Sequence, residues 1–247
     1  MYSYKMMKGV HVVEKLVAKI GTRTTKTTRI YRKIETKLYK RYISDLSSYP
    51  IDSGPFKIHW VSPSEIIKNS SSPFGNNEIP YRLGFGKIYD GDWDRELKPI
   101  IPQKASHFTA LNDYLVIGLV ERYLDGVDWS DTTLFNRCRE QISKGIPVWR
   151  GCESMDQVKQ RARKYDSLFK SIKSSGYVTQ DELFPERGLL WNRRNEVLVD
   201  ISRSGELLFV DGIHRLMMAK ILDLDKIPVV VLCRHKRLIE TNDSYQF

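Results

Sequence analysis

The stretch EVLVDISRSGELLFVDGIHRLMMAKILDLDKIPVVVLCRH, residues 196–235, decides the fold. Glu196 to Ile201 alternates as a strand does when one face is buried. Ser202 to Gly205 supplies the residues of a tight turn. Leu207 to Val210 is a short continuous apolar run, the mark of a strand covered on both faces. Asp211-Gly212 breaks it, and residues 213–222 take helical spacing. Asp223 to Lys226 turns the chain into a last buried strand, Ile227 to Cys233. The order of strand, hairpin turn, strand, helix, strand predicts an α/β (α+β) domain built on a small mixed sheet.

The strand-to-helix junction at Asp211 carries the chemistry. Gly212 lacks a Cβ and lets the backbone turn sharply. The helix after it presents free N–H groups and the positive end of its dipole, a natural anion site. His214 and Arg215 fall in its first turn, where a cation is unfavourable unless it faces an anion. Arg215 suits bidentate contact with phosphate oxygens, and His214 suits hydrogen bonding or proton transfer near neutral pH. Asp211 is placed to hold a metal ion bridging phosphates or to orient His214. The plainer alternative is a turn in which Asp211 caps the helix while His214 and Arg215 stand in water.

The run FVDGIHRLMMAKILDLDKIPVVVL, residues 209–232, resembles the signature of the ParB/sulfiredoxin superfamily, in which a Gly-x-x-Arg or Gly-x-His-Arg turn opens a helix followed by an I-P-V-x-V strand. YDSLFKSIKSSGYVTQDEL, residues 165–183, is similar to the helix preceding that family's first strand, so the resemblance spans about 157–235. The Asp-Gly-x-His-Arg form is closest to the free-serine-kinase branch. The resemblance implies a ParB/sulfiredoxin-like fold and a nucleotide, ATP, ADP or CTP, bound with Mg²⁺. Gly212, Ile213, His214 and Arg215 would form the phosphate turn, with Asp211 as catalytic residue and metal ligand and His214 catalytic beside it. Ile213 stands where sulfiredoxin has its cysteine, which argues against sulfinic acid repair. The paired-Arg turn of the partitioning CTPases is missing, and only twelve residues follow His235, too few for a downstream DNA reader.

A kinase also needs a base. Tyr89-Asp90-Gly91-Asp92-Trp93-Asp94-Arg95 gathers three carboxylates, and Asp92 or Asp94 is the candidate. The competing reading is an Asx-turn whose Trp93 plugs the core. Glu196 and Glu206 flank the strand pair and read as exposed hairpin acids, the alternative being that they face the nucleotide. Trp149-Arg150-Gly151-Cys152 offers a basic residue to a binding cleft, and the insert at 183–195 departs from the family's short linker.

The rest of the chain sets the frame. Hydrophobic residues make up 41%, enough for a core. Phe56 to Val61 reads as a strand, with a helix start after it at Ser62 (cap) and Pro63; a short strand lies within 84–94. Helices are expected over 106–123, over 129–141 capped by Ser130 or Asp131, and over 155–174 ended by Gly176. Val158, Ala162, Tyr165, Leu168, Phe169 and Ile172 form the inner face of the third. Three widely spaced cysteines, Cys138, Cys152 and Cys233, predict buried thiols rather than a disulfide framework or a zinc site. No apolar run is long enough for a membrane span, and the N-terminus lacks a secretory pattern, so a cytoplasmic protein is expected.

Residues 1–45 hold twelve Lys/Arg against three acids and so carry nine of the ten net positive charges. They form a basic amphipathic helical arm (1–47) ahead of a single domain, 56–247. Such an arm covers the domain in water, or contacts an anionic membrane peripherally or nucleic acid. The expected function is a nucleotide-dependent phosphotransferase, a kinase of a small-molecule or glycan-type hydroxyl. The alternative is a nucleotide-gated ParB-like binding protein that acts through the arm.

Overall fold

The computed structural model describes residues 56–75, 84–100, 111–187 and 189–241. The basic arm, the linker up to Pro55 and the first residues of the helix expected from 106 lie outside them. Among the described residues six strands make one mixed sheet: β1 (Ile58–Val61), β2 (Lys68–Asn69), β3 (Lys87–Tyr89), β4 (Val197–Ile201), β5 (Leu207–Asp211) and β6 (Ile227–His235). Seven α-helices accompany it: α1 (Leu111–Tyr123), α2 (Thr133–Ser143), α3 (Met155–Ser175), α4 (Gln180–Leu183), α5 (Leu189–Arg194), α6 (Ile213–Ile221) and α7 (Lys236–Thr241).

β6 is the axis of the sheet. Its first half takes β1 antiparallel and its last three residues take β3 parallel. Its other edge takes β4 parallel, β4 and β5 pair antiparallel, and β2 closes the sheet parallel to β5. Every residue of β4 and β6 is buried, because both faces of the sheet are covered. Val197, Val199 and Ile201 face the larger core beneath the helices, with Ile227, Val229 and Val231 beside them. Leu198, Leu208, Val230 and Leu232 face a second core with Phe74, Phe85 and Trp93. Each such side chain contributes about 1.5–3 kcal/mol of burial, which outweighs any local preference and keeps these runs as strands.

The hairpin, helix and last strand fall where the alternation placed them, and α3 ends at Gly176 as expected. Val158, Ala162 and Ile172 are buried on its inner face, with Tyr165, Leu168 and Phe169 packed against the same core. All three cysteines are buried free thiols.

Two expectations need correction. Ser62 does cap and Pro63 does lead, but only one 3-10 turn follows, Pro63–Glu65. Ile66 is fully buried, and the chain then joins β2, where Asn69 N donates to Lys98 O and Ser70 N to Phe209 O. The helix expected from 129 is split. Asp128 caps a 3-10 turn, Trp129–Asp131, and Thr132 caps α2, so neither Ser130 nor Asp131 is the cap. The buried Trp129 indole donates to Asp166 Oδ1 at 3.0 Å, and that anchor breaks the helix.

A second break of pattern is a buried carboxylate in β4. Asp200 accepts from Ser70 Oγ and Ser72 Oγ, both at 2.6 Å, and from Cys233 N at 3.0 Å. It ties the loop after β2 to the middle of the sheet. Burial pushes its carboxyl up to about 6.

Candidate functional site

The site begins where β5 runs out. Gly212 has φ 96°, in the left-handed region, and a Cβ there would lie 3.0 Å from Val197 Cα and 3.3 Å from Glu196 O. Only glycine fits, because both obstacles are backbone atoms. Gly212 N donates to Asp211 Oδ1 at 2.7 Å, while Arg215 N and Leu216 N donate to Gly212 O. That leaves the N–H groups of Ile213 and His214, at the start of α6, without a partner among the described residues.

A cleft of about 270 Å³ opens at this junction. Asp211, Ile213 and His214 line it from the β5–α6 turn, Trp149 and Arg150 from the loop before α3, Asp113 from the first turn of α1, and Asn69 from β2. Two carboxylates, one guanidinium and the start of α6, whose Ile213 and His214 N–H groups have no partner among the described residues, therefore line one small space.

His214 is half-buried in a column of rings. Tyr165 stacks on it at 4.1 Å and 9°, and Trp149 stacks on Tyr165 at 5.1 Å and 13°. Trp149 Nε1 faces His214 Nε2 at 3.4 Å. Burial, then Arg150, Arg215 and Arg161, push the imidazole down to about 3. His214 is therefore neutral at physiological pH. The imidazole therefore adds no charge of its own to the cleft.

Arg215 departs from expectation as well. It does not line the cleft. Its Nη1 lies 3.6 Å from Glu196 Oε2 and 3.4 Å from Tyr177 OH. Glu196 is buried, not an exposed hairpin acid, and its Oε1 accepts from Gln180 N at 2.5 Å. Burial pushes Glu196 up to about 7 against the pull of the Gln180 N–H and Arg215. Arg215 thus turns toward a buried carboxyl beneath the turn and away from the cleft.

The structure does not bring Asp92 and Asp94 to Asp211. Asp94 accepts from Arg203 N at 2.7 Å and from Arg203 Nη2 at 2.6 Å, and Asp92 accepts from the same Nη2 at 2.9 Å. Burial draws the Asp94 carboxyl up, but the Arg203 bonds outweigh it and the net shift is downward. His235 Nδ1 accepts from Arg237 N, so its proton sits on Nε2, aimed at Gly91 O at 2.8 Å. Gly91 N donates to Asp90 Oδ1, only one residue on, and Trp93 is buried; Arg203 bonds this acidic turn to the β4–β5 hairpin turn through Gly91 O, Asp92 and Asp94. The hairpin turn and Asp211 sit at opposite ends of β5, roughly 13 Å apart at about 3.3 Å per residue. Glu206 is exposed, as expected of a hairpin acid, and pairs at the surface with Lys68 Nζ at 2.7 Å. In the insert, Arg187 lies between the rings of Phe184 and Trp191, and Arg193 is held by Asp181 and Phe56 O.

The sequence pattern does not single out Asp113 or Asn69 as site residues. Asp113 does leave a signal, being the lone acid in LNDYLVIGLV, a largely apolar stretch of α1. Asn69 left none, since its place depends on β2 meeting β5. No family model, no curated protein and no solved structure matches this chain.

Proposed function

We propose that the chain is a nucleotide-dependent phosphotransferase acting on a hydroxyl of a small molecule or glycan. The observation that carries this reading is the meeting of Asp113 and Asp211 with the free N–H groups of Ile213 and His214 in one cleft. A helix N-terminus favours phosphate oxygens. Carboxylates beside it favour a divalent ion that bridges those oxygens.

The residues fit Mg²⁺ carried in with a nucleotide. Among the described residues no group of three His, Cys, Asp or Glu could hold a metal by itself. Mg²⁺ needs only one or two carboxylates when phosphates and water complete its shell. Asp211 would hold it, and when bound it would neutralise charge on the transferring phosphoryl group. The turn at Gly212 orients the phosphates. Neutral His214, stacked on Tyr165, fixes one wall of the cleft. Asp113 replaces Asp92 and Asp94 as the carboxylate within reach of an acceptor hydroxyl. Catalysis by such a site rests on positioning and electrostatics.

A thermal-shift series with ATP, ADP and CTP, each with Mg²⁺, tests the reading. At least one should raise the melting temperature, and Asp211→Asn should abolish the Mg²⁺-dependent part of the rise. If none of the three shifts the wild-type chain, the proposal fails.

A further inference from the structure

The loop that carries Arg150 into the cleft is held in an unusual backbone. Trp149 and Arg150 are two successive non-glycine residues in the left-handed region, φ 41° and 61°, and Gly151 follows at φ 84°. For L-residues this crowds Cβ against the carbonyl, and such positions persist only where surrounding structure over-determines them. Here the surroundings are plain. Val148 N donates to Cys152 O at 2.9 Å and Cys152 N to Val148 O at 2.6 Å, closing the turn at its base. Val148, Trp149 and Cys152 are all buried, and the Trp149 ring packs against Trp129, Phe135 and Tyr165.

The charged residue this clamped turn presents is Arg150. It is exposed, lines the cleft, and makes no hydrogen bond or ion pair with any described residue. Its field and that of Arg161 both reach His214, and Arg161 Nε is buried with no hydrogen-bond partner. The His214 side of the cleft therefore lies in a positive field, to which Arg215 also contributes although its side chain is turned toward Glu196 and does not line the cleft.

We infer that Arg150 determines the specificity of this site for a phosphate-bearing ligand, its guanidinium taking the terminal phosphoryl oxygens in the role the sequence assigns to Arg215. This rests on the reading that the cleft takes a phosphorylated ligand. The planar fork of arginine matches two phosphate oxygens, and a strained, pre-set turn spares the ordering cost that a mobile loop would meet on binding.

Calorimetric titration of the full chain with MgATP and with magnesium tripolyphosphate tests it. The second probe has the phosphates and no nucleoside. Arg150→Ala should weaken both by roughly 10- to 100-fold, the loss expected for a charge-assisted bidentate contact. Arg150→Lys should recover only part of that affinity, because the charge returns without the fork. Arg150→Gly relieves the backbone and should melt no lower than wild type while binding as weakly as Arg150→Ala, which separates lost contact from lost fold. Unchanged affinity in Arg150→Ala, with binding intact in the wild type, overturns the role of Arg150 and leaves the phosphotransferase reading standing. Binding of neither probe by the wild type overturns both.

Discussion

Gly212 stands where β5 ends and α6 begins, with backbone on two sides of the place a side chain would take. Gly212→Ala combines left-handed strain with a contact at 3.0 Å to Val197 Cα. It should cost about 2–4 kcal/mol. Urea unfolding of the variant measures this, and a loss under about 0.5 kcal/mol would mean the turn can relax. The Asp-Gly dipeptide made this position legible. The neighbouring cations were legible only as charges. Arg215 finds its partner in Glu196, nineteen positions earlier, and nothing local says which of Arg150 and Arg215 faces solvent. Asp92 and Asp94 are a similar case, since their local pattern suited a base as well as a buttress and Arg203, over a hundred residues away, decides it.

At the scale of elements, α3 is held by polar anchoring as well as by its apolar face. Asp166 Oδ1 accepts from Trp129 Nε1 at 3.0 Å, Tyr123 OH at 3.2 Å and Arg122 Nε at 3.4 Å, joining α3 to α1 and to the 3-10 turn ahead of α2. Burial and Asp166 together push the Tyr123 phenol far above its usual range, so it stays a donor. Asp166→Ala would leave the buried indole N–H unpaired and should cost about 2–4 kcal/mol. A denaturation curve checks it, and a neutral substitution would show that packing of Tyr123 on Phe169 suffices. The amphipathic face of α3 could be read directly, because its period of 3.6 is a local property. The break between the 3-10 turn and α2 could not, because its cause is a bond across the fold to Asp166. β2, only two polar residues long, exists through its pairing with β5.

At the scale of the whole molecule, two buried carboxylates set the pH response. Burial pushes Glu196 up to about 7 and Asp200 up to about 6, above ordinary values of 4.5 and 3.8. The folded chain therefore holds protons that the unfolded chain has released. Their contribution to stability is complete below about pH 4 and is lost as pH rises through 6 and 7, at most about 3 kcal/mol for each group. Asp94 acts in the opposite sense, because its lowered carboxyl contributes above its unfolded value and that contribution is lost in acid. Urea midpoints should fall from pH 5 to pH 8, and Glu196→Gln should flatten the upper part of that fall. A midpoint independent of pH across this range would show that neither carboxylate is protonated in the fold. By itself the sequence determined the strand–hairpin–strand–helix–strand core, the need for glycine at 212, the inner face of α3 and the thiol state of the cysteines. Each of these follows from local periodicity, turn chemistry or composition. Only the tertiary structure decided that Asp113 joins Asp211 at the cleft, that Arg215 lies against the buried Glu196, and that Asp92 and Asp94 stand at the far end of β5. Those are pairings between distant residues, chosen by which charges the packed core leaves buried and must therefore neutralise.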